Sequence, residues 1–346
     1  MVRPVVFLVL VAAGIAAVAA LLKPVPDRDV FAPLAPGELV YLSGLSFPGV
    51  YAAKEAHGLA APRYEMGLFG NSRSLMVGAG DLGVPDGAFF NFSVIGGSFR
   101  ASILLLEQLA AAGRAPRLAI ISFDHLELQE DNNPAVAGIG PRLRLAVDDV
   151  VVGLTSPRIT RGEAGRMAWR HYYGAVRDLG RILNFRRLML GLHWRVGSLL
   201  GASWRDVADE QIEPGYRRDS SIVLPAMTQP VIDVSAPQPA LYILGYLDSD
   251  LERLAALGRQ GVRIVIYESL LDPVNAGQVA RHPNPAAEAA RSRWLDACRR
   301  LALDCHPFAL DAVPAVPGVW TDSSHPPAAL LGRYLRQVIQ RPMATD

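Results

Sequence analysis

The chain has 346 residues, 51% of them apolar, and a formal net charge of +1. That length allows one large domain or two small ones, and the balanced charge lacks the basic excess typical of nucleic-acid-binding proteins. Only two of the 34 basic residues are lysines, Lys23 and Lys54. Arginine richness is therefore a general property of this chain and says little about phosphate or carboxylate recognition.

The N-terminal segment begins with an uncharged run of nineteen residues, 4–22. At ~1.5 Å per residue a helix of this length spans roughly 28 Å, enough to cross the hydrocarbon core of a bilayer. A cleaved signal peptide is the alternative, because residues 17–19 fit the A-x-A pattern. The run continues past that point, which favours a transmembrane anchor over 1–23, then a linker and N-terminal extension over 24–60. We therefore expect a single-pass inner-membrane protein whose main domain is periplasmic.

Short apolar segments alternate with helical ones from residue 64 onward. The predicted strands are 64–69, 88–94, 117–123, 262–267 and 304–308, and the predicted helices are 99–112, 249–260, 285–303 and 326–341. This alternation is typical of parallel sheets with helices on both faces. The sequence thus predicts an α/β domain over 61–346, with a three-layer, doubly wound (flavodoxin-like) parallel sheet of about five strands.

A block of about 110 residues, 129–238, interrupts this rhythm and predicts a helical insertion. Its middle, 162–200, has a helical pattern with several aromatic residues. Twelve arginines face four acids between residues 141 and 205. The insertion is either a solvated helical cap or a basic face for an anionic polymer or the inner-membrane surface.

The two cysteines, Cys298 and Cys305, do not have the spacing of a zinc or iron–sulfur site. In an exported domain they can form a disulfide that closes a small loop. The alternative is a pair of buried free thiols.

The first predicted strand ends at a polar turn, Gly70-Asn71-Ser72-Arg73, and a short helix is expected to start near Ser72. Helix N-terminal amides at the carboxyl end of a strand favour negative charge, and open α/β sheets bind ligands there. Serine and asparagine are also ordinary cap and turn residues. The turn alone therefore does not indicate catalysis. A catalytic serine here would need a base from another part of the chain.

A candidate partner precedes the last predicted helix, where Asp322 and His325 are three residues apart. The carboxylate can hold the imidazole Nδ1–H and leave Nε2 free to take a proton from a serine. The alternative is an ordinary helix start, since Asp is a good cap and Pro326 suits the first helical turn.

Together these motifs resemble the SGNH/GDSL hydrolase superfamily. Gly70-Asn71-Ser72 is similar to its nucleophile block, residues 91–97 to its glycine block, and Asp322 with His325 to its final block. The anchor and the turn also resemble exported, membrane-anchored members associated with O-acylation of envelope polysaccharides.

The resemblance implies a role for each matching residue. Ser72 would be the nucleophile, His325 its base and Asp322 the residue that orients the base. The amides of Ser72 and Gly96 would face the oxyanion, and no metal or nucleotide cofactor is implied.

The third block of that superfamily has no counterpart here, because Asp124 follows the third strand where the superfamily has an oxyanion-binding asparagine. An ionised carboxylate only accepts hydrogen bonds and would oppose an oxyanion. Asp124 is then protonated or turned away, another donor such as Asn91 or a backbone amide replaces it, or the site is catalytically poor. Arg73 either binds an acidic group of a glycan or makes a surface ion pair.

Two functions of different classes follow from these observations. The first is an exported, membrane-tethered serine esterase or O-acyltransferase that acts on an acylated polysaccharide or envelope polymer through an acyl-serine. The second is a non-catalytic module that binds a glycan or a membrane-bound acyltransferase. A nucleotide-binding domain is disfavoured, because the first turn lacks G-x-G-x-x-G and the chain has no P-loop.

Overall fold

A computed structural model describes residues 47–95, 97–124, 139–155, 159–182, 215–223, 244–308 and 325–340, together with Gly14 and Phe31. Apart from Gly14, the predicted anchor over 1–23 lies outside these residues. Within the described ranges no helix combines the length and the apolar character needed to cross a bilayer.

The described elements follow one another as strands and helices, with a single 3-10 turn, Ser72–Ser74, after the first strand. The strands are β1 (Met66–Phe69), β2 (Phe89–Asn91), β3 (Leu118–Phe123), β4 (Gly215–Tyr216), β5 (Ile222–Val223), β6 (Arg263–Glu268) and β7 (Asp304–His306). The helices are α1 (Phe47–Ala60), α2 (Ala79–Leu82), α3 (Phe99–Ala111), α4 (Ile139–Thr155), α5 (Arg161–Ile182), α6 (Leu244–Arg259), α7 (Pro273–Arg281), α8 (Pro285–Leu301) and α9 (Ala328–Gln340).

Five strands form one parallel sheet in the order β2-β1-β3-β6-β7. This confirms the predicted α/β class and strand number, and the order is that of flavodoxin-like doubly wound sheets. The chain leaves β1 towards β2 on one side and later returns to β3 on the other. The carboxyl ends of β1 and β3 therefore form the switch point at which such sheets bind ligands.

The two faces of the sheet are covered by different helices. Along β6, Ile264 and Ile266 pack into a core cluster with α1, α3, α6 and α8, whereas Val265 and Tyr267 pack into a second cluster with α2 and α9. Successive side chains of a strand point to opposite faces, so strands that are apolar at every position serve both clusters. The predicted three-layer arrangement is confirmed.

The domain begins earlier than the predicted boundary at residue 61. Helix α1 buries Val50 and Tyr51 in the same cluster as Phe31, which has no exposed surface. Part of the segment assigned to an N-terminal extension is therefore core. Its apolar residues do not follow a simple helical period, which left this helix ambiguous in the sequence.

Two pieces of the predicted insertion are described. Helices α4 and α5 form an antiparallel hairpin, in which a side chain at Gly153 would approach the Ala164 Cβ to 2.3 Å. Strands β4 and β5 form a separate antiparallel ribbon. Helix α5 starts where the sequence predicted helix, whereas α4 was not predicted.

A disulfide joins Cys298, in the last turn of α8, to Cys305 in β7. This decides between the two alternatives left open for the cysteines. The bond fixes a strand that lies at one edge of the sheet to the helix that precedes it.

Candidate active site at the carboxyl edge of the sheet

The turn after β1 is tight because Gly70 has no side chain. A Cβ at this position would lie 2.5 Å from Ser74 Oγ and 2.7 Å from Ser122 Cβ. The backbone then enters the single 3-10 turn, which Asn71 caps by accepting a hydrogen bond from Arg73 N at 3.0 Å. The predicted short helix is thus present as one turn that begins at Ser72.

Ser72 differs from its neighbours in accessibility. Asn71, Arg73 and Ser74 are buried, whereas Ser72 is half-buried. A reactive serine has to meet its substrate, and the residues that hold it do not. Ser72 is therefore the accessible residue of a turn that is otherwise buried.

Asp124 and Arg73 form a buried ion pair beneath this turn, with 2.9 Å between Asp124 Oδ2 and Arg73 Nη1. Asn71 Nδ2 also donates to Asp124 Oδ2, at 3.5 Å. Because β1 and β3 are neighbours, the pair joins the two loops of the switch point. Arg73 is therefore not a surface residue, and Asp124 anchors the turn with its charge compensated by the guanidinium.

Asn91 has no accessible surface, and its side chain is fully used inside the protein. Its Nδ2 donates to the carbonyls of Ser74 at 2.8 Å and Val77 at 2.9 Å, and its Oδ1 accepts from Ser93 N at 3.0 Å. These contacts correct the expectation that Asn91 replaces the missing oxyanion donor. It fixes the segment after Ser72 to the end of β2.

The loops after β1 and β2 lie side by side, as the proposed site requires. Val94 N donates to the Gly70 carbonyl at 3.1 Å, and a Cβ at Gly97 would lie only 2.5 Å from that same oxygen. Ser74 Oγ donates to Ser93 Oγ at 2.9 Å. Gly96, the predicted oxyanion glycine, lies outside the described residues.

Lys54 supports the loop after β2, and sequence reasoning missed this role. It is fully buried, and its Nζ donates to the carbonyls of Asn91, Ser93 and Ser220. Burial lowers the pKa of Lys54 well below its ordinary value, while the charge of Asp219 opposes that shift. The sequence offered one indication of this role, since Lys54 is one of only two lysines in a chain whose other basic side chains are arginines.

The ribbon of β4 and β5 is attached to the same region. Asp219 accepts a hydrogen bond from Ala79 N at 2.8 Å through its carboxylate, and from Asn91 N at 2.8 Å through its carbonyl. Ser220 adopts a left-handed conformation, with φ of 63°, and supplies one of the carbonyls that bind Lys54. This piece of the insertion therefore contributes to the framework around the switch point.

His325 lies at the carboxyl edge of the sheet, because helix α9 runs antiparallel to β6. Arg263, at the start of β6, donates through Nη2 to the carbonyl of Ile339, in the last turn of α9, at 2.9 Å. The opposite end of α9, which His325 precedes by three residues, is then at the same edge as Ser72. Asp322 lies outside the described residues.

The floor of the switch point is polar and buried. Ser122 Oγ and Ser269 Oγ are 2.8 Å apart and buried, and Tyr267 beside them is buried as well. Burial raises the pKa of Tyr267 to about 12, and the Asp124 charge adds to the shift. The described residues include no group of three or more His, Cys, Asp or Glu that could hold a metal ion.

Comparison of the chain with protein-family models, curated proteins and solved structures finds no match. The functional assignment therefore depends on the chemistry of the site.

Proposed function

We propose that this protein is an exported, membrane-tethered serine esterase or O-acyltransferase, with Ser72 as its nucleophile. Its substrate would be an acylated polysaccharide or a related envelope polymer. The observation that carries the proposal is the turn itself, in which a partly accessible serine stands at the switch point between buried neighbours. The resemblance to SGNH/GDSL hydrolases supports the assignment.

The proposed reaction is acyl transfer in two steps. The Ser72 hydroxyl attacks the ester carbonyl while His325 takes its proton, and the alcohol leaves with that proton as the acyl-serine forms. Water or a sugar hydroxyl then attacks the acyl-serine, and His325 takes a proton from it and returns one to Ser72 Oγ. Asp322 would orient His325 throughout.

The ion pair of Arg73 with Asp124 removes one objection to this chemistry. A free carboxylate next to the oxyanion would raise the barrier, whereas a carboxylate paired at 2.9 Å with a guanidinium presents little net charge. The backbone amides of Ser72 and Gly96 remain the proposed donors to the oxyanion. Removing one such donor from a hydrolase costs roughly 3–4 kcal/mol in the barrier, so two amides without a side-chain donor still permit slow catalysis.

A specific observation favours the second candidate, a non-catalytic module that binds a glycan or a membrane-bound acyltransferase. Two polar side chains beside the turn, those of Asn91 and Asp124, are both occupied in holding it. They supply no donor to an oxyanion. A binding module needs the shape of this edge but no oxyanion hole.

The experiment that separates the two candidates uses the full-length protein in detergent with a fluorophosphonate probe and an acetyl ester. We expect the wild type to be labelled and to hydrolyse the ester, and Ser72→Ala and His325→Ala to lose both properties. Matched controls are Ser292→Ala and His282→Ala, because both residues are exposed and neither belongs to the Ser72 turn or to the Asp322 and His325 motif. A wild type that neither reacts nor turns over supports the binding module.

A further inference from the structure

The outer face of helix α4 is apolar, which is unusual for a helix at a protein surface. Val147 is 61% exposed and Leu154 is 65% exposed, and Leu143, Val150 and Val151 on the same helix are each at least 40% exposed. Surface helices normally direct such residues inward and charges outward. Exposed apolar residues that recur at helical spacing instead indicate a surface that contacts a membrane or another protein.

Helix α5, the other helix of the hairpin, exposes aromatic side chains. Trp169 is 64% exposed, Tyr172 and Tyr173 are about half exposed, and the rings of Trp169 and Tyr172 are 5.6 Å apart. The exposed positions of the same helix also include Arg161 and Arg166. Tryptophan, tyrosine and arginine beside aliphatic residues are the composition of segments that lie at a membrane interface.

The inner side of the hairpin carries a buried cluster of charged residues. Asp149 is fully buried, and its carboxylate lies 2.6 Å from His171 Nδ1 and 3.3 Å from Arg100 Nη2. Arg100 belongs to the first turn of α3. Leu145, Ala164 and Met167 of the hairpin also belong to the core cluster of the domain. The inner side of the hairpin is therefore fixed to the domain by polar and apolar contacts, and the exposed aliphatic residues of α4 are not part of that attachment.

These contacts also place the hairpin near the candidate site. Helix α3 starts at the carboxyl edge, two residues after Gly97, where a Cβ would lie 2.5 Å from the Gly70 carbonyl oxygen next to the Ser72 turn. A surface that covers the outer face of α4 and α5 would thus lie beside the edge that holds Ser72. An insertion at this place can position the site relative to whatever the hairpin contacts.

We propose that the outer face of the α4–α5 hairpin docks onto an anionic phospholipid bilayer. The aliphatic residues of α4 would enter the boundary between headgroups and acyl chains, the aromatic residues of α5 would lie at headgroup level, and the arginines would meet lipid phosphates. The charge agrees, since residues 139–182 contain eight arginines and four acids. The uncharged run at residues 4–22 would hold the chain at such a membrane. The proposal does not depend on the activity of Ser72.

Quenching of tryptophan emission by brominated lipid tests this directly. The full-length protein is placed in nanodiscs of phosphatidylglycerol, with or without bromine on the acyl chains, and Trp169→Phe is compared with the wild type. None of the five tryptophans lies in residues 1–23, so insertion of an anchor produces no signal of its own. We expect bromine to quench part of the wild-type emission and the quenched part to be lost in Trp169→Phe.

A second variant tests the aliphatic face independently of Trp169. Val147→Glu combined with Val151→Glu should abolish the quenching, whereas Leu59→Glu, at an exposed apolar position of α1, should leave it unchanged. Equal quenching of wild type and Trp169→Phe would overturn the proposal. A concentration-dependent dimer in detergent that the double variant dissociates would overturn it too, since a second copy of the chain would then be the occupant.

Discussion

The carboxyl edge of the sheet and the α4–α5 hairpin bury their charges in the same way but treat their apolar residues oppositely. Each has a buried carboxylate held by an arginine, Asp124 with Arg73 and Asp149 with Arg100. At the sheet, the apolar residues pack inward on both faces. On the hairpin, three valines and two leucines of α4 face outward. Burial of a paired charge therefore does not reveal what a region contacts, whereas the direction of its apolar residues does.

The largest expected effect follows from breaking the ion pair at the sheet. Arg73→Met leaves the Asp124 carboxylate buried without its guanidinium and should lower the free energy of unfolding by about 3–5 kcal/mol. Chemical denaturation measures this change. The double variant Arg73→Met with Asp124→Leu removes both charges and should recover most of the loss. An unchanged denaturation midpoint in the single variant would mean that the pair does not hold the turn.

The next effect depends on pH and on Tyr267 in the floor of the site. Burial raises the pKa of this phenol from 10 to about 12, so the folded state keeps a proton that the unfolded chain releases. Stability from this group is complete below pH 10 and is lost as the pH rises through 12, by about 2–3 kcal/mol. Tyr267→Phe should lack this alkaline loss when unfolding is followed by circular dichroism. Parallel alkaline curves for the two proteins would contradict the assignment.

The smallest expected effect comes from making the same substitution, valine to alanine, once in the sheet and once on the hairpin. Val265→Ala removes two buried methyl groups from the centre of β6 and should cost about 2 kcal/mol. Val147→Ala, on the outer face of the hairpin, should change the free energy of unfolding in detergent by less than about 0.5 kcal/mol. Similar losses in the two variants would show that Val147 is packed against another part of the protein.

The sheet could be predicted from the sequence because its strands are short apolar runs between helical segments. The predicted strands exceed the observed ones mainly at their ends, as at Tyr64, whose carbonyl accepts from Arg117 N although neither residue is assigned to a strand. Helix α7 was missed because it is only nine residues long and includes Gly277. The order of the strands makes Arg73 and Asp124 neighbours, and nothing local to either residue indicates this contact.

The sequence also does not show which side of helix α4 is buried. Asp148 and Asp149 are adjacent and identical, yet Asp148 is exposed and Asp149 is buried against His171 and Arg100. Only the rotation of α4 about its axis decides between them. The arginines of this segment predicted a basic face, whereas the exposed residues of α4 are mainly apolar.

The most direct test of the central claim is to trap the acyl group on Ser72. The full-length protein is incubated with an acetyl ester, quenched in acid and digested, and the peptides are analysed by mass spectrometry. We predict an acetyl group on the Ser72 hydroxyl of the wild type, little of it in His325→Ala because the serine then lacks its base, and none at that peptide in Ser72→Ala. A folded wild type that carries no acetyl group on Ser72 would contradict a nucleophilic Ser72.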